Sequence, residues 1–158
     1  MIKIISGIHK NKSIKTPKSH NTRPTSIRLR ETIFNIISHS KKLNIQIDNA
    51  NVLDLFAGSG AFGLECLSRG AKNCIFIDNN IEAIHTIINN IKTLKEGDNS
   101  TVIKHDATKP FQLNQNVDLC FIDPPYEINN IFVILKNWVN SGYINKKAIY
   151  ILEKKSIN

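Results

Sequence analysis

The apolar positions of this chain change period along its length. Residues 3–8 and 13–16 alternate apolar with polar around a turn at 7–12, the pattern of two short strands joined as a hairpin. Pro17 and Pro24, set among polar neighbours, make 17–24 a loop. From Thr25 onward Ile27, Phe34 and Ile37, with Leu29, Ile33 and Ile36, recur at helical spacing, and Thr25 or Ser26 can cap that helix. Past residue 50 short apolar runs alternate with amphipathic stretches. The spacing predicts strands at 51–56, 73–77, 101–104, 117–122 and 148–152. It predicts helices at 60–69, 81–94 and 129–139, stopped at Gly70, near Gly97 and at Gly142. Five apolar strands separated by helices imply an α/β fold, a mainly parallel sheet covered on both faces with right-handed crossovers. Ligands of such sheets sit beyond the carboxyl ends of the strands, so the loops after 56, 77, 104 and 122 are where chemistry is expected.

Composition narrows the class. The 158 residues, 41% of them hydrophobic, fit one domain spanning 1–158 and exclude intrinsic disorder. No apolar run reaches the roughly 20 residues of a membrane span. The start, Met1-Ile2-Lys3-Ile4-Ile5, continues into Ser, Gly and His and is not a signal peptide. Three cysteines (Cys66, Cys74, Cys120) without paired spacing suggest neither disulfides nor a zinc site, and no metal is expected. The chain reads as a soluble cytoplasmic protein acting as a monomer.

Charge divides the chain. Residues 1–50 hold ten Lys/Arg and two acids, a balance of +8, whereas residues 51–158 hold eleven of each. Three of the four arginines, Arg23, Arg28 and Arg30, fall within eight residues of the basic part. A basic extension on a neutral body suits a polyanionic partner, with Lys10, Lys12, Lys15, Lys18 and the three arginines as candidate contacts. Lysines scattered by composition alone would not cluster the arginines. One of the arginines could instead pair with Glu31 or reach a ligand carboxylate.

Two loops carry chemistry. Residues 54–63, Asp-Leu-Phe-Ala-Gly-Ser-Gly-Ala-Phe-Gly, follow a strand and open a helix, and Gly58, Gly60 and Gly63 satisfy G-x-G-x-x-G. Asp78 ends the next strand 20 residues after Gly58, where a carboxylate can accept the hydroxyls of a ribose. The motif serves a nicotinamide dehydrogenase or an S-adenosylmethionine enzyme. Asp54 before the turn suits an ammonium and a sulfonium better than a pyrophosphate, and Asp106 after the third strand can take an adenine amino group. The candidate cofactor site is thus Asp54, Phe56, Ala57, Gly58, Ser59, Gly60, Asp78, Asn79, Asp106 and Ala107. The second loop, Asp123-Pro124-Pro125-Tyr126, places two rigid acceptors and an aromatic ring after the fourth strand. The Asp123 carboxylate and the Pro124 carbonyl can each take one N–H of an exocyclic base amine, freeing its lone pair for in-line attack on a methyl group. The prolines add rigidity and no competing donor. Tyr126 offers a face for an extruded base.

These two loops together resemble class I S-adenosylmethionine-dependent amino-methyltransferases. With Thr22-Arg23-Pro24-Thr25, Arg28-Leu-Arg30-Glu31-Thr32-Ile33-Phe34-Asn35 and Leu67-Ser-Arg69-Gly70-Ala71, the chain is similar to the bacterial 16S ribosomal RNA guanine-N2 methyltransferases, the RsmD family, from about residue 5 to 153. The resemblance implies a Rossmann-like doubly wound fold with an N-terminal hairpin and helix over 1–50 and a cofactor-binding core over 51–158. It implies S-adenosylmethionine as methyl donor, S-adenosylhomocysteine as product, and 16S ribosomal RNA or a small-subunit assembly particle as partner. Asp123, Pro124, Pro125 and Tyr126 take the catalytic role by the same resemblance, with Tyr126 where Phe is expected in many members. The family fold continues past its fifth strand into a helix and an antiparallel hairpin. This chain stops at Asn158, so that hairpin is expected to be missing: either the sequence is truncated or the fifth strand is an edge. The alternatives are a DNA adenine-N6 or cytosine-N4 methyltransferase, then a nicotinamide oxidoreductase or a non-catalytic RNA-binding module. The five histidines lack ligand spacing, the cysteines and Trp138 read as core, and Lys146-Lys147 as a solvated end.

Overall fold

The computed structural model describes residues 1–18, 27–40, 46–125, 127–128 and 130–153. In chain order they form β1 (Ile2–Lys3), β2 (Ser13–Ile14), α1 (Ile27–His39), β3 (Asn51–Leu55), α2 (Ala61–Ser68), β4 (Asn73–Asp78) and α3 (Ile81–Leu94). A 3-10 turn at Gly97–Asn99 leads to β5 (Ser100–Lys104), β6 (Val117–Ile122), α4 (Ile131–Asn140) and β7 (Ile144–Leu152). The apolar runs after residue 50 pair side by side in the order β5-β4-β3-β6-β7, every neighbouring pair parallel. Almost continuous apolarity is what two covered faces require. Alternate residues Val52, Phe76, Leu119 and Phe121 meet α1, α2 and α3 through Phe34, Phe62, Leu64, Ile87 and Ile91. The opposite set, Leu53, Leu55, Ile75, Ile77 and Ile122, meets α4 through Ile131, Ile134 and Trp138. The expected doubly wound sheet with an N-terminal antiparallel pair is therefore present. No helix among the described residues is long and apolar enough to cross a membrane.

Most elements fall within one or two residues of the sequence reading, and the larger differences are at the hairpin, on the face of α1 and at the last strand. The hairpin ladder shrinks to Ile2↔Ile14 and Lys3↔Ser13, because residues 5–9 pair with α2 instead of with each other. Ile5 and Ser6 donate their N–H groups to the Glu65 carboxylate at 2.7 and 2.9 Å, and Ile8 donates to the Ser68 carbonyl at 2.8 Å. In α1 the buried stripe is Arg30, Phe34 and Ile37, while Ile27 and Ile36 face outward. The last strand begins four residues early. Lys146 and Lys147 lie exposed within β7, the outermost strand on that side among the described residues. The α1 cap at Thr25 or Ser26 lies outside the described residues.

The N-terminal part is fastened to the sheet by aromatics and one carboxylate. Phe62 of α2 stacks on Phe34 of α1 (centroids 5.1 Å apart) and on Phe121 of β6 (4.1 Å). Each such pair adds about 0.5–1.5 kcal/mol beyond its buried area. Glu65, fully buried, also accepts from Arg69 Nε at 2.9 Å and lies 3.5 Å from Arg30 Nη1. Arg30 Nη2 donates to the Lys3 carbonyl at 3.0 Å, and the Arg69 guanidinium covers the Phe34 ring. Removing one partner of a buried ion pair leaves an uncompensated charge, at about 3–5 kcal/mol. Glu65→Ala is therefore expected to destabilise by that amount in urea denaturation. Adding Arg30→Met should recover part of the loss, whereas strictly additive losses would contradict the pairing.

Candidate functional site

The strand order reverses at β3: β4 and β5 lie on one side, β6 and β7 on the other. A crevice opens at the carboxyl end of such a switch point. Asp54 of β3 pairs in register with Phe76 of β4 and Phe121 of β6. Asp78 and Asp123 each stand two residues beyond those partners, and two-residue steps return to the same face. Three carboxylates thus converge at one edge of the sheet. Burial pushes the Asp54 carboxyl well above its ordinary range, the Gly63 N–H (3.0 Å) opposes this, and Asp123 and Asp78 push it further up. Such an edge is suited to a ligand that brings positive charge.

The loop between β3 and α2 is wound tightly. Phe56 takes φ 59°, Gly58 56° and Gly60 74°, and Gly60 N donates to the Ala57 carbonyl at 2.7 Å. A left-handed non-glycine such as Phe56 is strained, a feature common where a loop must hold a ligand. Ala57 N donates to the Ile77 carbonyl at 3.0 Å, joining the loop to β4. A Cβ on Gly63 would lie 2.4 Å from the Phe76 ring and 2.5 Å from Cys74 Sγ, so the third glycine lets α2 press onto the sheet. Asp78 accepts from Gly58 N at 2.9 Å and from Asn80 N at 2.8 Å, so it shapes the glycine loop and the entry to α3 together. Asn79 is exposed beside it, and Asn80 caps α3 by accepting from Glu82 N and Ala83 N.

Two further loops border the crevice. Asp106 accepts from the hydroxyl and N–H of Thr108 at 2.7 and 3.0 Å, and these bonds hold its carboxyl below the usual range. The buried Ala107 carbonyl accepts from Trp138 Nε1 at 2.8 Å, so α4 positions this loop from beneath. After β6, Asp123 and Pro124 are half-buried and Pro125 is exposed. The Ile122 carbonyl accepts from Glu153 N and the Pro125 carbonyl from Ile128 N, both at 3.0 Å, bracketing the Asp-Pro-Pro turn. Tyr126 lies outside the described residues.

Among the basic candidates, Lys10, Lys12, Lys15, Lys18 and Arg28 are exposed. Arg30 must be removed from the set. It is fully buried against Glu65 and the Lys3 carbonyl and presents no surface to a polyanion. Arg23 lies outside the described residues. Glu65, Asn90 and the indole N–H of Trp138 also hold the site's loops and the N-terminal segment, outside both motifs. A carboxylate in a wholly buried helix and an asparagine on the apolar stripe of α3 were the available signals, since buried polar groups must find partners.

A reversed parallel sheet with a glycine loop and an Asp-Pro-Pro turn at its switch point is the Rossmann-like methyltransferase fold. A solved structure described as "Putative methyltransferase yhhF from Escherichia coli" superposes with a TM-score of 0.79 at 30% identity, covering 96% of this chain and 80% of that one. The chain belongs to the family described as Conserved hypothetical protein 95, which matches over residues 2–158. It is 36% identical over 138 residues to "Putative rRNA methyltransferase YlbH" of Bacillus subtilis, covering 85% of this chain and 72% of the relative. It is 31% identical over 157 residues to "Ribosomal RNA small subunit methyltransferase D" of Escherichia coli, covering 99% and 76%. The RsmD-like resemblance drawn from the motifs is thereby shown. Because α2 seats on Phe76 only without a Cβ at residue 63, Gly63→Ala is expected to cost about 1–3 kcal/mol of stability. Unfolding in urea measures this, and an unchanged midpoint would contradict the close approach.

Proposed function

We propose that this protein transfers a methyl group from S-adenosylmethionine to the exocyclic N2 of a guanine in 16S ribosomal RNA. The reading takes 1–158 as one methyltransferase domain whose basic extension, 1–50, grips RNA. It acts in the cytoplasm as a monomer, on free 16S ribosomal RNA or a small-subunit assembly particle. The observation that carries the reading is the convergence of Asp54, Asp78 and Asp123 with the glycine loop at the switch point. The names of the relatives, rRNA and small-subunit methyltransferases, support the same substrate class.

The donor set fits the cofactor. Each Asp78 oxygen accepts one backbone N–H and keeps a second lone pair for a ribose hydroxyl. Phe56, Ala57, Gly58, Ser59 and Gly60 line the amino-acid end, with Asp54 behind them accepting from the Gly63 N–H. Asn79 flanks the ribose, and Asp106 with Ala107 meets the adenine. When bound, S-adenosylmethionine supplies an electrophilic methyl on a good leaving group, so no metal is called for. Asp123 and the Pro124 carbonyl accept the two N–H groups of the guanine amine and turn its lone pair toward the methyl. Pro125 stiffens the turn, and Tyr126 stacks on the base. The proton lost from nitrogen leaves by way of Asp123 to solvent.

Asp123 should matter in the transition state far more than in cofactor binding. In single-turnover assays with a 16S ribosomal RNA transcript, Asp123→Ala is expected to lose at least about a hundredfold in methyl transfer, about 2.7 kcal/mol or more. Its affinity for S-adenosylhomocysteine should stay within about twofold, a difference of about 0.4 kcal/mol. Tyr126→Phe should be mild and Tyr126→Ala damaging, because stacking uses the ring. A Tyr126→Phe loss equal to that of Asp123→Ala would refute the stacking role.

The exposed lysines meet phosphates without reading sequence, so binding should be steeply salt-dependent. Replacing Lys10, Lys12, Lys15 and Lys18 together by Gln is expected to weaken RNA binding. The salt slope should become shallower by about 0.7–0.9 for each lysine that contacts a phosphate. Filter binding across a salt series measures both, with S-adenosylhomocysteine affinity as the control. An unchanged slope would place the RNA surface elsewhere.

A further inference from the structure

The apolar stripe of α3 is interrupted by an amide. Asn90 is 1% exposed and sits between Ile87 and Leu94 on the buried face. Its Oδ1 accepts from Lys15 N at 2.8 Å, and its Nδ2 donates to the Lys15 carbonyl and to the Ser59 carbonyl, each at 2.9 Å. Both N–H groups and the oxygen are used. Flipping the amide would set its oxygen against two carbonyls, so the partners determine its orientation. Two of the bonds pair with Lys15 as a neighbouring strand would, and the third enters the glycine loop. The basic segment has other anchors: Ile8 N donates to the Ser68 carbonyl, and His9 Nε2 pairs with Glu96 at the end of α3. Its path therefore does not depend on the bond to Ser59. What Asn90 adds is a direct tie between the backbone of Lys15, whose side chain is exposed, and the loop of Ser59.

We propose that Asn90 is a positioning residue that couples RNA bound on residues 10–18 to the shape of the cofactor loop at Ser59. This inference rests on the functional reading above. Phosphates held by Lys15 and its neighbours restrict the segment, and the two bonds to Lys15 pass that restriction to the amide. The amide then holds Ser59 with less freedom left to lose when the cofactor binds. Ordering supplied by the first ligand lowers the entropic cost of the second, and the effect is reciprocal between them.

The test is calorimetric, with the full chain and S-adenosylhomocysteine, alone and with a saturating, unmethylated 16S ribosomal RNA transcript. The native protein is expected to bind S-adenosylhomocysteine at least about fivefold tighter when RNA is present. Asn90→Asp keeps an acceptor for the Lys15 N–H and loses both donors, so this enhancement should disappear. Lys15→Gln removes charge and leaves the backbone bonds, so it should weaken RNA binding while the enhancement at saturation persists. Should Asn90→Asp fail to fold, Asn90→Ser, with one hydroxyl in place of three bonds, is expected to lower the enhancement. A merely structural role would weaken S-adenosylhomocysteine by the same factor with and without RNA. A native-like enhancement in the Asn90 variants, or no enhancement in the native protein, overturns the coupling. Failure of the native protein to bind either RNA or S-adenosylhomocysteine would instead overturn the functional reading itself.

Discussion

Reversal of strand order at β3 is the constraint from which the site follows. With β4 and β5 on one side of β3 and β6 and β7 on the other, the loops that leave β3 and β6 part at the switch point. The glycine loop leaves β3 there, Asp78 ends β4 next to it, and the Asp-Pro-Pro turn leaves β6 opposite. Register then decides the chemistry. The pairing of Asp54 with Phe76 and Phe121 puts Asp78 and Asp123 on the same face as Asp54, and burial first, then the charges of Asp123 and Asp78, pushes the Asp54 carboxyl up. A site so short of positive charge is complementary to a cationic cofactor.

Two polar groups set into apolar helices fasten the basic extension to this frame. Glu65 in α2 gathers the N–H groups of Ile5 and Ser6 with Arg69 and Arg30. Asn90 in α3 gathers Lys15 and Ser59. In an apolar interior each of these groups is costly unless satisfied, which makes the fastening specific as well as strong. Asn90 holds the backbone of Lys15 near the glycine loop, while Ile8 and His9 meet the far ends of α2 and α3.

Most of the sheet was legible in the sequence because doubly covered strands are continuously apolar, and Ile81–Leu94 was read to the residue because its stripe is regular. The errors have non-local causes. The hairpin was drawn too long because the donors of residues 5–9 turn to Glu65 and Ser68, sixty residues away in sequence. Which of the arginines is structural stays open in the sequence because the partner of Arg30, Glu65, is on another helix. The first residues of β7 escape the pattern because Asn145, Lys146 and Lys147 are exposed and polar, like a solvated end. The two loops of the site were visible as motifs, yet the meeting of Asp54, Asp78 and Asp123 needed the strand register, which no local pattern contains.

The central claim concerns which atom receives the methyl group. Incubating the protein with methyl-labelled S-adenosylmethionine and an unmethylated 16S ribosomal RNA transcript, or small-subunit particles, and resolving the digested nucleosides by mass tests it directly. The account predicts label in N2-methylguanosine. Label in N6-methyladenosine or N4-methylcytosine, or RNA that stays unlabelled while DNA is methylated, would contradict it.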